Sequence, residues 1–200
     1  MALVVVAGAC TLPPPYEGGA PNGPTVVVIG DSLVDFGSAS IKPAMHARGW
    51  RVSLYGEPTM NTATAQHRIT GAAVAQPSAA VLVTTANDAF DLHRGAQSVS
   101  EVAATIDKAM TSTKALGCVV WVLLNEHAWF YGFPQWAPVV NQMVLEGAAR
   151  HPNVRILDWR HQVVFHPTWF QSDLFHHTAL GNANFASQMT TAVAGCPGFT

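Results

Sequence analysis

Two hundred residues, 49% of them apolar, suffice for one domain whose single core removes about 70% of the unfolded chain's surface from water. Only 11% of residues are charged and the formal net charge is -2, so no basic field exists to hold a phosphate backbone or an anionic membrane surface. Nucleic acid is therefore not an expected partner, and no apolar run approaches the ~20 residues that span a bilayer.

The chain opens on MALVVVAGAC, an apolar run ending in small residues, which reads as the rear half of a secretion signal. Ala7-Gly8-Ala9-Cys10 resembles a bacterial lipobox, in which the cysteine carries lipid. That resemblance implies lipidation at Cys10, a possible membrane tether through it, and a secreted or cell-envelope location. A proline- and glycine-rich stretch follows, unsuited to a central strand and read as a flexible tether, so residues 1–23 precede a single domain over 24–200.

From there strand-like and helix-like stretches alternate. Residues 25–29 form a continuous β-branched run, the pattern of a parallel strand covered on both faces, and 52–55, 80–84, 119–124 and 154–157 repeat it. Between and after them, residues 33–48, 62–75, 99–116, 136–150 and 179–194 have helical length and Ala-rich composition. The alternation predicts an α/β fold: three layers, α/β/α, around a flavodoxin-like five-stranded parallel sheet. The last helix should run back toward the end where strands begin, bringing Cys196 near Cys118; an oxidising compartment would join them, while two unpaired buried thiols are the alternative.

In such sheets chemistry gathers at the carboxyl ends of the strands. Gly30-Asp31-Ser32, Tyr55-Gly56, Asn87-Asp88 and Asn125-Glu126-His127 follow the first four strands, and Asp173 and His176 lie between the fifth strand and the last helix. A serine hydroxyl needs a base to take its proton, and the base needs a third group to orient it. Ser32 supplies the hydroxyl, and the three-residue spacing of Asp173 and His176 lets one imidazole nitrogen meet the carboxylate while the other faces the serine. The N–H of Ser32, the N–H of Gly56 and the Asn87 amide are candidate oxyanion donors, with Asn61 an alternative to Gly56.

These residues carry a family resemblance. Val28-Ile29-Gly30-Asp31-Ser32-Leu33 resembles the first block of the SGNH (GDSL-type) hydrolases, Thr85-Ala86-Asn87-Asp88 is similar to the third, and Ser172-Asp173-Leu174-Phe175-His176 looks like the fifth. Thr85 stands where the third block usually has glycine, and Gly56-Glu57-Pro58-Thr59 matches the second block loosely. The resemblance spans residues 25–186 and implies a serine esterase forming an acyl-serine intermediate, without a cofactor, on a small-molecule or glycan ester. The stretch from Trp121 through Trp159 to His176 also looks like the SGNH domains of bacterial cell-envelope O-acyltransferases, which implies acyl transfer to a carbohydrate hydroxyl as an alternative.

Other readings stand beside these. Ser32 could serve as a helix N-cap, and His161, His166, His176 and His177 could hold a metal, although no His-x-x-x-His pair supports one. The aromatic loop of Trp129, Phe130, Tyr131, Phe133 and Trp136 is either core or a substrate wall, with Trp169 and Phe170 opposite. A module that binds glycan or lipid without catalysis is the remaining alternative.

Overall fold

The computed structural model describes residues 12–128 and 133–199. Five parallel strands, β1 (Thr25–Gly30), β2 (Arg51–Gly56), β3 (Ala79–Val83), β4 (Val119–Val122) and β5 (Val154–Leu157), lie in the order β2-β1-β3-β4-β5. The helices are α1 (Ser32–His46), α2 (Thr62–Ala75), α3 (Ala86–His93), α4 (Val99–Ser112), α5 (Phe133–Arg150), α6 (Gln162–Phe165) and α7 (Ala179–Ala194). The step from β1 to β2 runs opposite to every later step. Right-handed crossovers therefore put α1 and α7 on one face and α2, α4 and α5 on the other. This is the three-layer α/β/α arrangement expected from the alternation.

Burial explains the β-branched runs. Val26, Val27, Val28 and Ile29 are wholly buried, because β1 is covered by helices on both faces and by strands on both edges. Hydrophobic side chains so placed stabilise the fold by about 1.5–3 kcal/mol each.

Four details depart from the expectation. β4 ends at Val122 rather than 124 because the Leu124 N–H is captured by Asn141 Oδ1 at 2.7 Å, which turns the backbone out of the ladder. The segment after β3, where no helix was expected, is the helix α3, so Asn87 and Asp88 sit in a first helical turn. The short α6 and a 3-10 turn at Pro167–Trp169 were not expected from the sequence. Residues 12–24 do not hang free: Glu17 pairs with Val52 through two 2.9 Å backbone bonds, and Ser53 Oγ donates to the Pro14 carbonyl at 2.7 Å. Prolines lack the N–H that a central strand must donate, but they can close the open edge of β2.

Cys118, just before β4, and Cys196, just after α7, form a disulfide with Cα atoms 5.8 Å apart. Cys10 lies outside the described residues.

Candidate active site

Strand order reverses at β1, and the crevice at such a switch point is where ligands bind in open α/β sheets. Ser32 emerges there. Gly30 is needed for close packing: a Cβ at this position would stand 2.4 Å from the Val34 side chain and 2.8 Å from the Val83 carbonyl. Asp31 is the N-cap of α1, its Oδ1 accepting from the Leu33 N–H at 2.9 Å. The capping reading thus belongs to Asp31. Ser32 is the first helical residue, where helix geometry leaves its N–H without an intrahelical acceptor.

The partner histidine arrives from 144 residues away. Ser32 Oγ lies 3.0 Å from His176 Nε2, and His176 Nδ1 lies 2.7 Å from Asp173 Oδ2. The other oxygen of Asp173 accepts the N–H groups of Phe175 and His176 at 2.9 Å each, so the carboxylate shapes the turn as well as orienting the ring. Burial works to raise the Asp173 pKa, but the bonds from His176 and the two amides outweigh it and hold the group below the ordinary carboxylate range. Leu174 adopts a left-handed backbone (φ 54°) within this turn. Asn125, buried three residues past the end of β4, donates to the Leu174 carbonyl at 2.7 Å and pins it.

His177 faces the opposite way. It is buried among Trp159, Phe170 and Phe185, and that burial pushes its pKa down to about 4. The base candidate is therefore His176, partly exposed at the crevice. The four histidines weighed as metal ligands occupy separate surroundings: His161 meets His127 at 3.2 Å and His166 stacks on Trp169. Among the described residues no three His, Cys, Asp or Glu side chains converge as a metal site.

A cleft of about 250 Å³ opens over Ser32 and His176, walled by Phe36, Phe90, Phe175 and Asn87 and rimmed by Pro58 and Thr59. Asn87 Nδ2 donates one hydrogen to the Met60 carbonyl at 3.0 Å and keeps a second for another acceptor. Gly56 does not line this cleft. Its Cα is pressed against α1, where a Cβ would stand 2.5 Å from the Asp35 backbone, so its lack of a side chain serves packing. Asn61 is the N-cap of α2 and donates to Asp91 Oδ2 at 2.6 Å. Thr59, with a left-handed backbone (φ 69°), occupies the rim where Gly56 was expected.

Trp169 stacks between His166 (3.8 Å between ring centroids) and Trp159 (5.9 Å), away from the cleft. It is a packing residue. Trp129, Phe130 and Tyr131 lie outside the described residues, while Phe133 is fully buried and faces Phe90 and Phe175. Of the walls that sequence reading missed, Phe36 was within its reach, four residues after Ser32 on one face of an expected helix, whereas Phe90, three after Asn87, shares a face with it only because α3 is helical.

Beneath the site two carboxyls are sealed from solvent. Asp31 and Asp88 are fully buried; burial pushes each up to about 7, against the Leu33 amide for Asp31 and Thr62 for Asp88. Since both are raised from the ordinary 3.8, their protonated forms favour folding below pH 3.8, and that benefit is lost as pH rises through about 7. His177 acts oppositely, its contribution being lost as pH falls from 6.5 through about 4. Two carboxyls outweigh one imidazole, so urea denaturation should show greater stability at pH 5 than at pH 8, by about 3 kcal/mol. Asp88→Asn, whose amide oxygen can still accept from Thr62, should remove most of that difference, because one carboxyl is then nearly offset by His177; an unaltered pH profile would show that Asp88 is not the group responsible.

No protein-family model matches the chain, and no curated protein sequence matches it. Solved structures do. An α/β hydrolase enzyme, LAE5, from the metagenome of Lake Arreo, Spain, superposes with a TM-score of 0.73 at 15% identity, covering 90% of this chain and 97% of that one. Axe2, an acetylxylan esterase from Geobacillus stearothermophilus, gives 0.66 at 17%, covering 88% and 95%. A lipase/acylhydrolase from Enterococcus faecalis gives 0.71 at 18%, covering 86% and 96%. This chain shares their fold. At such identities the likeness speaks to architecture, and the chemistry must be argued from the side chains.

Proposed function

We propose that this protein is an SGNH-type serine esterase that cleaves esters of short acyl groups through an acyl-Ser32 intermediate. The observation that carries the proposal is the continuous relay from Ser32 Oγ to His176 Nε2 and from His176 Nδ1 to Asp173. Ester-cleaving enzymes among the proteins of like fold support it.

In this reading His176 takes the Ser32 proton as Oγ attacks the ester carbonyl, and Asp173 stabilises the resulting imidazolium. The tetrahedral oxyanion is met by the N–H of Ser32 and the spare Asn87 hydrogen. The imidazolium then returns its proton to the departing alkoxide, leaving an alcohol and acyl-Ser32. Water, deprotonated by His176, attacks the acyl group, and collapse releases the acid and restores the serine hydroxyl.

An acetylxylan esterase among the proteins of like fold favours a short acyl group, and Phe36, Phe90 and Phe175 stand close around Ser32 and His176, where they would hold the first carbons of an acyl chain. Turnover of p-nitrophenyl esters should fall steeply between butyrate and palmitate; a maximum at palmitate would overturn the short-acyl assignment. Asn87→Ala should lower kcat by about 10²-fold with KM little changed. A loss under threefold would remove Asn87 from the oxyanion site.

Acyl transfer to a carbohydrate would use the same residues with a different acceptor, and mass spectrometry of products with and without added sugar separates the two. The intact relay favours catalysis over a module that only binds. The Cys118–Cys196 disulfide supports export to an oxidising compartment.

A further inference from the structure

Beyond Asn87 and Phe90 the apolar cleft opens into a second, polar one of about 480 Å³, bounded by Thr59, Asn61, Asp91 and Arg94. Thr59, Asn87 and Phe90 line both. An ester whose carbonyl sits at Asn87 would therefore have its acyl group on the apolar side and its alcohol half on the polar one.

Two opposite charges meet in the polar cleft, and the fold presents them unequally. The side chain of Asp91 is 10% exposed and that of Arg94 is 65% exposed. The carboxylate accepts Asn61 Nδ2 and Arg94 Nη2 at 2.6 Å each and Gln97 Nε2 at 2.9 Å, so its lone pairs are taken up by the protein's own donors. Burial pushes Asp91 up, but these three bonds outweigh it and hold it ionised. Arg94 gives one nitrogen to Asp91, which leaves further guanidinium N–H groups for a ligand, and Asn61 Nδ2 likewise keeps a second hydrogen.

A ligand in this cleft meets the guanidinium directly and the carboxylate only behind its donors. Coulomb energy falls with distance, so for a group touching Arg94 the near, exposed charge prevails over the far, buried one. A planar guanidinium holds a carboxylate through paired N–H···O bonds, each stronger than a bond between neutral groups. A phosphate, with close to two charges, would face the same single cation and a stronger repulsion from Asp91. We propose that this cleft is the subsite for the alcohol half of the ester and that it selects an alcohol half bearing a carboxylate, with Arg94 as the specificity residue that pairs with it. This inference rests on the serine esterase reading above. Asp91, itself fixed by Asn61 and Gln97, is a positioning residue: it holds the guanidinium at the cleft, so that little side-chain freedom is lost when the anion binds.

The test measures kcat/KM for p-acetoxybenzoate and for p-acetoxybenzamide, a neutral ester of nearly the same shape, and for the corresponding meta pair. The proteins are the native one, Arg94→Ala and Arg94→Lys. In at least one pair the native enzyme should favour the carboxylate by about tenfold or more at low salt, and added sodium chloride should shrink that preference. Arg94→Ala should lower the carboxylate-to-amide ratio about tenfold, mostly through KM for the anionic ester, and Arg94→Lys should keep part of it because a point charge remains. A purely structural role for Arg94 would depress both esters alike and leave the ratio unmoved, which overturns the proposal. A ratio no higher in Arg94→Lys than in Arg94→Ala would overturn charge as its cause. Ser32-dependent cleavage without preference for the carboxylate in either pair also overturns it, with the esterase reading intact. Should no ester be cleaved in a Ser32-dependent way, the esterase reading itself fails and the subsite falls with it.

Discussion

Ser32→Ala is expected to lower kcat/KM toward p-nitrophenyl acetate by about 10⁴-fold or more and to abolish labelling by a fluorophosphonate probe. Its melting temperature should stay within about 3 °C of the native protein. The two halves of this expectation have separate causes. The activity loss follows from geometry: the Ser32 hydroxyl stands 3.0 Å from His176 Nε2 on the cleft floor. The retained stability follows from the cap. Asp31, not Ser32, accepts the Leu33 N–H that starts α1, so the hydroxyl can be removed without uncapping the helix, and alanine is a good helix former at the position it enters. His176→Ala should match the activity loss, and Asp173→Asn should cause a large one, because the amide group then facing His176 Nδ1 donates rather than accepts and carries no charge to stabilise the imidazolium. Equal probe labelling of the native and Ser32→Ala proteins would show that another nucleophile is at work.

Reducing the Cys118–Cys196 bond, or replacing both cysteines with alanine, is expected to cost about 4 kcal/mol of stability and to lower the melting temperature by roughly 10 °C. The two residues are 78 apart in sequence, so the bond removes from the unfolded chain the entropy of a long open loop. Its position matters as much as its length. It ties the end of α7 to the start of β4, and α7 begins at the Thr178 cap, two residues after His176. A loosened α7 therefore loosens the segment that carries the imidazole. Activity should fall at lower temperatures in the reduced protein than in the oxidised one. Thermal melts with and without reductant decide the matter: coincident midpoints would mean that the helix is held by packing alone.

The fold was legible because its signals are local. Runs such as Thr25–Gly30 and Ala79–Val83 are apolar on both faces, as strands covered by helices must be, and helical stretches between them leave right-handed crossovers as the natural connection. Short motifs likewise marked the chemical groups. Asp173 and His176 are three residues apart, and a spacing that small settles their contact with little help from the rest of the chain.

What local pattern could not reach was everything that depends on who arrives from elsewhere. Gly56 and Thr59 are three residues apart, and only the close approach of α1 to Gly56 decides that one serves packing while the other reaches the cleft. His176 and His177 are chemically alike, and the aromatic cage of Trp159, Phe170 and Phe185 is what buries one and leaves the other facing Ser32. Trp169 reads as well for a substrate wall as for core until Trp159 stacks on it. Element order and reactive groups were thus written in periodicity and spacing. Partners, burial and cleft walls came from packing, because contacts across 144 residues depend on every element between them.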